Sequence, residues 1–281
     1  MAEQQMIHRL NPRLLTGPVR MLVVGCGGTG AAFSTSLPYL HQSMRALGHP
    51  GGLEVTLADG DAVSESNCVR QPFNVNHVGR NKAEALITGI NHFWGLSWRA
   101  IPRFIQPDDR LTGFDIVVGC VDSRASRALL AKLTSAAYDV RYWLDAGNGP
   151  AFGQVVLGEP SRHGVAGVRL PTVDELLPDT VRPGPEDNQP SCSAVEALTR
   201  QAPFTNHVLA HHMLFLLGQL FRRGELTHHG MFLNLERGEV EPIPVDPAQW
   251  EVMKAVPAEP VRGTKRSRRR TRDVAALPMA A

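Results

Sequence analysis

"MLVVGCGGTG", Met21 to Gly30, and "LADGDAVSESNCVRQ", Leu57 to Gln71, are the stretches on which the fold is decided. The first is an apolar run entering a glycine-rich turn, which reads as a buried strand feeding a helix N-terminus. "GTGAAFSTSLPYLHQSMRALG" supplies the helix, with Pro38 a candidate kink and Gly48 a candidate stop. "LEVTLAD", Leu53 to Asp59, is the next strand. Strand, glycine turn, helix and strand make a βαβ unit, with Gly25, Gly27, Gly28 and Gly30 against the helix N-terminus. Glycine lets a phosphate reach the backbone, and a helix start offers amide donors and partial positive charge. Asp59, closing the second strand, is placed to accept from ribose hydroxyls. These features fit a redox dinucleotide and a mononucleotide alike. A turn that needs glycine for packing alone is the third alternative.

The pattern continues outward from that unit. A helix opens near Asn81, "SWRAIPRFI" and "FDIVVGCVD" read as strands, and "SRASRALLAKLTSAAYD" as a helix. "RYWLDAGNG" is a strand running into a Gly/Asn turn, and "FGQVVLGE" is another. Alternating strands and helices imply a mostly parallel sheet with helices on both faces, an α/β Rossmann-like fold. From Pro160 to Pro190 the periodicity lapses, and "LPDTVRPGPEDNQPSCS" reads as a surface loop. One long apolar helix is expected from Ser193 to Gly224, then a late hairpin in "GMFLNLERGEVEPIPV". We divide the chain into a single domain over 1–256, with 160–192 as a crossover loop, and a disordered basic tail over 257–281.

Charge narrows the choice of nucleotide. Arg70, Lys82 and Asp122 stand at strand and helix ends, which share one crevice in an open α/β sheet. Arg127 lies one turn into the helix that follows Asp122. A pyrophosphate-bridged redox cofactor does not call for an Arg, a Lys and a free Asp. A triphosphate does, because cations offset its charge and a carboxylate holds Mg²⁺. Taken singly, each of these residues is as well explained by a surface ion pair.

Composition excludes little. The chain has 281 residues, 20% charged and 43% hydrophobic, with a net charge of +2, ordinary values for a globular protein. Seven basic residues and no acidic one fall in "RGTKRSRRRTR", Arg262 to Arg272, leaving the rest mildly acidic. That tail is a solvated end or a contact for nucleic acid or an acidic partner. No apolar run is long enough for a membrane span. The four cysteines include no C-x-x-C pair, and a reducing cytoplasm with free thiols is expected.

The set "GCGGTG…ADGDAVSESNCVRQ…GRNK…CVDSRASR" resembles the ThiF/MoeB family, whose fold is shared by ubiquitin-activating enzymes. The resemblance covers about residues 20–155. It implies ATP-dependent adenylation of the C-terminal glycine of a small ubiquitin-like (β-grasp) or sulfur-carrier protein by a homodimer. It implies that Gly28 approaches the phosphates, Asp59 the ribose, Arg70 and Lys82 grip the phosphates, and Asp122 positions Mg²⁺. Asp61, Ser66, Asn67 and Ser123 flank these positions and are carried with them. The second half is similar, more narrowly, to the ThiF-like proteins of PRTRC gene clusters. Two departures stand out. The paired C-x-x-C zinc site of many relatives is absent, so no zinc is expected. The N-terminal arginine that reaches across the dimer has two candidates, Arg9 and Arg13.

Cys192 precedes the expected helix start at Ser193, where a helix dipole lowers thiol pKa and suits a thioester-forming nucleophile. A small residue at a helix start is the alternative. Cys26, Cys68 and Cys120 read as packing residues. His207, His211 and His212 have helical spacing, but no carboxylate or cysteine completes a metal set. Beside adenylation, the sequence leaves open an NAD(P)-dependent oxidoreductase and a binding module without turnover.

Overall fold

The computed structural model describes residues 6–149, 151–160, 168–182 and 204–255. In chain order the strands are β1 (His8–Arg9), β2 (Val19–Val24), β3 (Leu53–Ala58), β4 (Arg99–Ile101), β5 (Ile116–Gly119), β6 (Tyr142–Asn148), β7 (Phe152–Gly158), β8 (Glu225–Leu226), β9 (His228–Asn234) and β10 (Glu239–Pro244). The helices are α1 (Gly28–Ala46), α2 (Lys82–Trp94), α3 (Arg124–Ala136), α4 (Val173–Leu176), α5 (Thr205–Arg223) and α6 (Pro247–Ala255).

Eight strands form one sheet in the order β10-β9-β7-β6-β5-β2-β3-β4, and β1 pairs with β8 in a two-stranded ribbon. From β4 to β6 every pairing is parallel; from β6 to β10 every pairing is antiparallel. The βα alternation up to Asn148 requires crossovers and hence parallel strands. The Gly/Asn turn after β6 lets β7 fold straight back.

Period two in the central strands puts alternate residues into two cores. Met21, Val23, Ile116, Val118 and Leu144 join the core under α1, α2 and α5. Leu22, Val24, Val117 and Trp143 join the opposite core under α3, α4 and α6. Helices therefore cover both faces, as the sequence implies. α1 runs unbroken through Pro38 and stops at Ala46, just before Gly48 at φ +92°. α2 is capped by the Asn81 side chain on Glu84 N–H.

Two regions bear on the expected boundaries. The long helix α5 starts at Thr205, with Phe204 as its cap, and the expected start at Ser193 lies outside the described residues. Pro203 lies just before it, where a proline disfavours helical geometry at the preceding residue. Within the expected loop, 168–182 carries order of its own: Leu170, Val173 and Leu176 are buried, and Leu170 carbonyl accepts from Glu159 N–H at 2.9 Å. Cys192 and the basic tail lie outside the described residues. Among the described residues no helix is long and apolar enough to cross a membrane.

Candidate nucleotide site

The carboxyl ends of β2, β3, β5 and β6 open into a cavity of about 640 Å³, within the range that holds small ligands. Gly25, Gly27, Gly28, Asp59, Asp61, Ser66, Asn67, Arg70, Lys82 and Asp122 all line it. Ten positions spread over a hundred residues of sequence thus converge.

The four glycines of the turn do different work. Gly25 has φ +93°, and a Cβ there would stand 2.5 Å from the Cys120 carbonyl oxygen. A Cβ at Gly30 would collide with the Gly25 carbonyl, and one at Gly28 with the Asn206 carboxamide. Only at Gly27, of these four, would a Cβ meet nothing within 4 Å. No side chain caps α1 at Gly27, so its first-turn amides keep their hydrogen atoms for a ligand.

Asp59 is buried, and its two carboxylate oxygens accept from Cys26 N–H and from Asp61 N–H, the latter at 2.7 Å. Burial pushes its pKa up, against those two hydrogen bonds and Lys82. Asp59 therefore pins the glycine turn to the end of β3 as well as facing the cavity. Lys82 is buried at the start of α2, and its ammonium is 2.8 Å from Asp61 Oδ2. Asn81 donates to the carbonyls of Asp59 and Asp61 at 2.8 and 3.2 Å, fixing that pair against α2. Arg70 follows the 3₁₀ turn Glu65–Val69, whose capping box is closed by Asn67 Oδ1 accepting from Ser64 N–H at 2.9 Å. The Arg70 Nε is buried and lacks a hydrogen-bond partner.

Ser123 stands at the start of α3 beside the cavity. It caps α3 by accepting from Ser126 N–H, and Ser126, not Ser123, lines the cavity. Asn148, Asn206, Gln71, Phe104, Ile105 and Leu129 line it as well, and none was legible as a site residue. Arg127, next to the cavity, forms a buried ion pair with Asp145 at 2.8 Å. Its Nη2 also donates to the carbonyls of Val121 and Ala146, at 3.1 and 3.4 Å, both cavity residues.

The profile of the ThiF family matches residues 13–213. The chain belongs to the ThiF family. No curated protein sequence matches it. Among solved structures, PaaA superposes with a TM-score of 0.57 at 16% identity over 83% of this chain. MccB of E. coli, solved with ATP, superposes with a TM-score of 0.54 at 17% identity over 83% of this chain. This ThiF-family chain matches 65% of the length of each of those two. At such identity the likeness is one of fold.

The remaining candidates of the ThiF-family chain lie apart from the cavity or inside its walls. Burial drives the thiol pKa of Cys26 and of Cys120 upward, which suits packing, not nucleophilic attack. Cys68 Sγ rests 3.8 Å from the Ser64 carbonyl. Arg13 pairs with Asp139 at 3.4 Å, and Arg9 is exposed on β1. His207, His211 and His212 face a separate groove between α1 and α5, where His211 Nδ1 bonds the His207 carbonyl at 2.7 Å.

Proposed function

We propose that this chain is an ATP-dependent adenylating enzyme acting on the C-terminal carboxylate of a small ubiquitin-like or sulfur-carrier protein. The observation that carries the reading is Arg70, whose buried Nε has no hydrogen-bond partner among the described residues, lining a cavity that it shares with Lys82 and the uncapped start of α1. A buried donor without an acceptor costs about 1–3 kcal/mol, and a phosphate oxygen supplies that acceptor. Phe104, Ile105, Val121 and Leu129 give the same cavity an apolar wall suited to a purine base.

In this reading Asp59 accepts from the ribose, Arg70 and Lys82 hold the phosphates, and the α1 amides receive negative charge. The chain works by placement and charge neutralisation, not by covalent chemistry of its own in the first step. Lys82 must exchange part of its contact with Asp61 for phosphate. Asp122, exposed at the end of β5, is the residue that would hold Mg²⁺. Mg²⁺ supplies charge neutralisation at the phosphates. Transfer of the acyl group onward to Cys192 as a thioester is a second step. The narrower kinship with PRTRC-cluster proteins belongs to the same reading.

A homodimer completes it. Tyr39, Leu47, Phe204 and Phe215 are 60–72% exposed, and all four line the groove of about 1510 Å³ between α1 and α5. Together they leave on the order of 500 Å² of apolar side chain in water, most of the ~800 Å² per partner that a stable interface buries. A second copy is the occupant we assign. Phe215→Glu then yields monomers in light scattering, whereas an unchanged mass would remove this face from the interface.

Calorimetry with Mg·ATP should show binding, and NAD⁺ none of comparable strength. Asp122→Ala should lose ATP–pyrophosphate exchange with an unchanged circular dichroism spectrum. Tight NAD⁺ binding without an ATP signal would overturn the reading.

A further inference from the structure

Asn206 stands in the first turn of α5, far in sequence from the glycine turn yet in contact with it. Its side chain is buried and belongs to the wall of the nucleotide cavity. Its Oδ1 accepts from two walls at once, from Thr29 Oγ1 at 3.0 Å and from Asn148 Nδ2 at 2.8 Å. Thr29 lies in the first turn of α1 and Asn148 ends β6. With Oδ1 holding both donors, the Nδ2 end of the same carboxamide lies over Gly28, in the space a Cβ would need. One side chain thus joins α1, β6 and α5 at the point where first-turn amides face the cavity.

We propose that Asn206 is a positioning residue for the phosphate turn, and that Gly28 is glycine in order to seat it. The inference rests on the nucleotide reading above and extends it. A carboxamide here sets the distance between the α1 N-terminus and the end of β6, and so the width of the seat for an anion. It also places a polar group with no net charge beside that seat. A carboxylate of the same shape would keep both accepted hydrogen bonds, and the helix N-terminus tolerates it. It would repel an anionic ligand, and more so with each added phosphate.

Two measurements test this, with binding of Mg·ATP, AMP and adenosine to wild type as the reference. Asn206→Asp should weaken ATP by about tenfold or more and adenosine by less than about twofold, with AMP between them. Its melting temperature should stay near that of wild type. A graded loss of this kind is not produced by a residue that only packs. The second is a cycle. Gly28→Ala should cost more than about tenfold in ATP affinity with Asn206 present, and about threefold less than that in an Asn206→Gly background. Equal loss of ATP and adenosine in Asn206→Asp, or an equal cost of Gly28→Ala in both backgrounds, would overturn the proposal. In either case wild type would still bind ATP and the adenylation reading would stand. If wild type binds no ATP, that reading fails, and this inference with it.

Discussion

The two halves of the sheet treat ionisable groups in opposite ways. In the parallel half, Asp59, Asp61, Arg70, Lys82 and Asp122 sit at strand and helix ends and face one cavity. At the antiparallel half, Glu159, after β7, and His229, on β9, are buried together with His8 of the neighbouring β1–β8 ribbon, all at or below 2% exposure. His8 lies 3.5 Å from Glu159 Oε2 and bonds the Tyr142 hydroxyl at 2.9 Å. His229 Nδ1 bonds the Leu157 carbonyl at 2.8 Å, and its Nε2 has no partner among the described residues. Parallel strands end together and hand their polar termini to a ligand. Antiparallel strands turn back on themselves, so a polar side chain along their length is either outside or trapped. The difference teaches that placement at a strand end, more than burial, separates a site group from a structural one.

The contrast breaks most severely at the glycines. Gly30→Ala forces a side-chain carbon into the Gly25 backbone carbonyl, which cannot rotate away. It should abolish soluble folded protein or lower the melting temperature by more than about 10 °C. Gly27→Ala meets open space and should leave the melting temperature within about 2 °C while reducing ATP affinity. Equal destabilisation by both would show that the turn is packing throughout.

Next comes Arg127→Ala, which strands the fully buried Asp145 beneath the cavity. Removing one member of a buried pair costs about 3–5 kcal/mol, readable in urea unfolding. A cost under about 1 kcal/mol would mean that solvent reaches Asp145.

The smallest effect sharpens the antiparallel side. Burial pushes Glu159 up to about 7 and His229 down to about 4. Glu159 has a folded pKa above its unfolded value, so its contribution is full below about pH 4.5 and lost as pH rises towards 7. His229 is the reverse: its contribution is full above about pH 6.5 and lost as pH falls towards 4. The two slopes oppose each other between about pH 4.5 and 6.5. Glu159→Gln keeps an acceptor for Leu170 N–H and removes one slope. Its stability should rise with pH across that window more steeply than wild type, as read by denaturant midpoints. A pH profile identical to wild type would place Glu159 in contact with solvent.

The parallel half was legible because its signals are local. The glycine turn, the apolar strand at Met21 and the Asn81 cap each act within a few residues, and so Asp59, Arg70, Lys82 and Asp122 could be brought to one crevice from sequence. Ser123 is ambiguous in sequence because a serine before a helix serves equally as cap or ligand, and the structure shows the cap, on Ser126 N–H. Asn206 was invisible for a different reason. Its bond with Thr29 spans 177 positions, and a lone Asn at a helix start signals nothing more than a start.

The packing of α5 on α1 carries a cost in time. Phe33, Leu37, Leu40 and Met44 of α1 share a core with Leu209, Met213, Leu216 and Leu220 of α5. The ribosome makes α1 early and its cover far later, from Ala46 to Thr205. At ~5–20 residues per second, the apolar face of α1 waits on the order of 10–30 s for its cover. During synthesis that face stays open to other hydrophobic chains until α5 arrives.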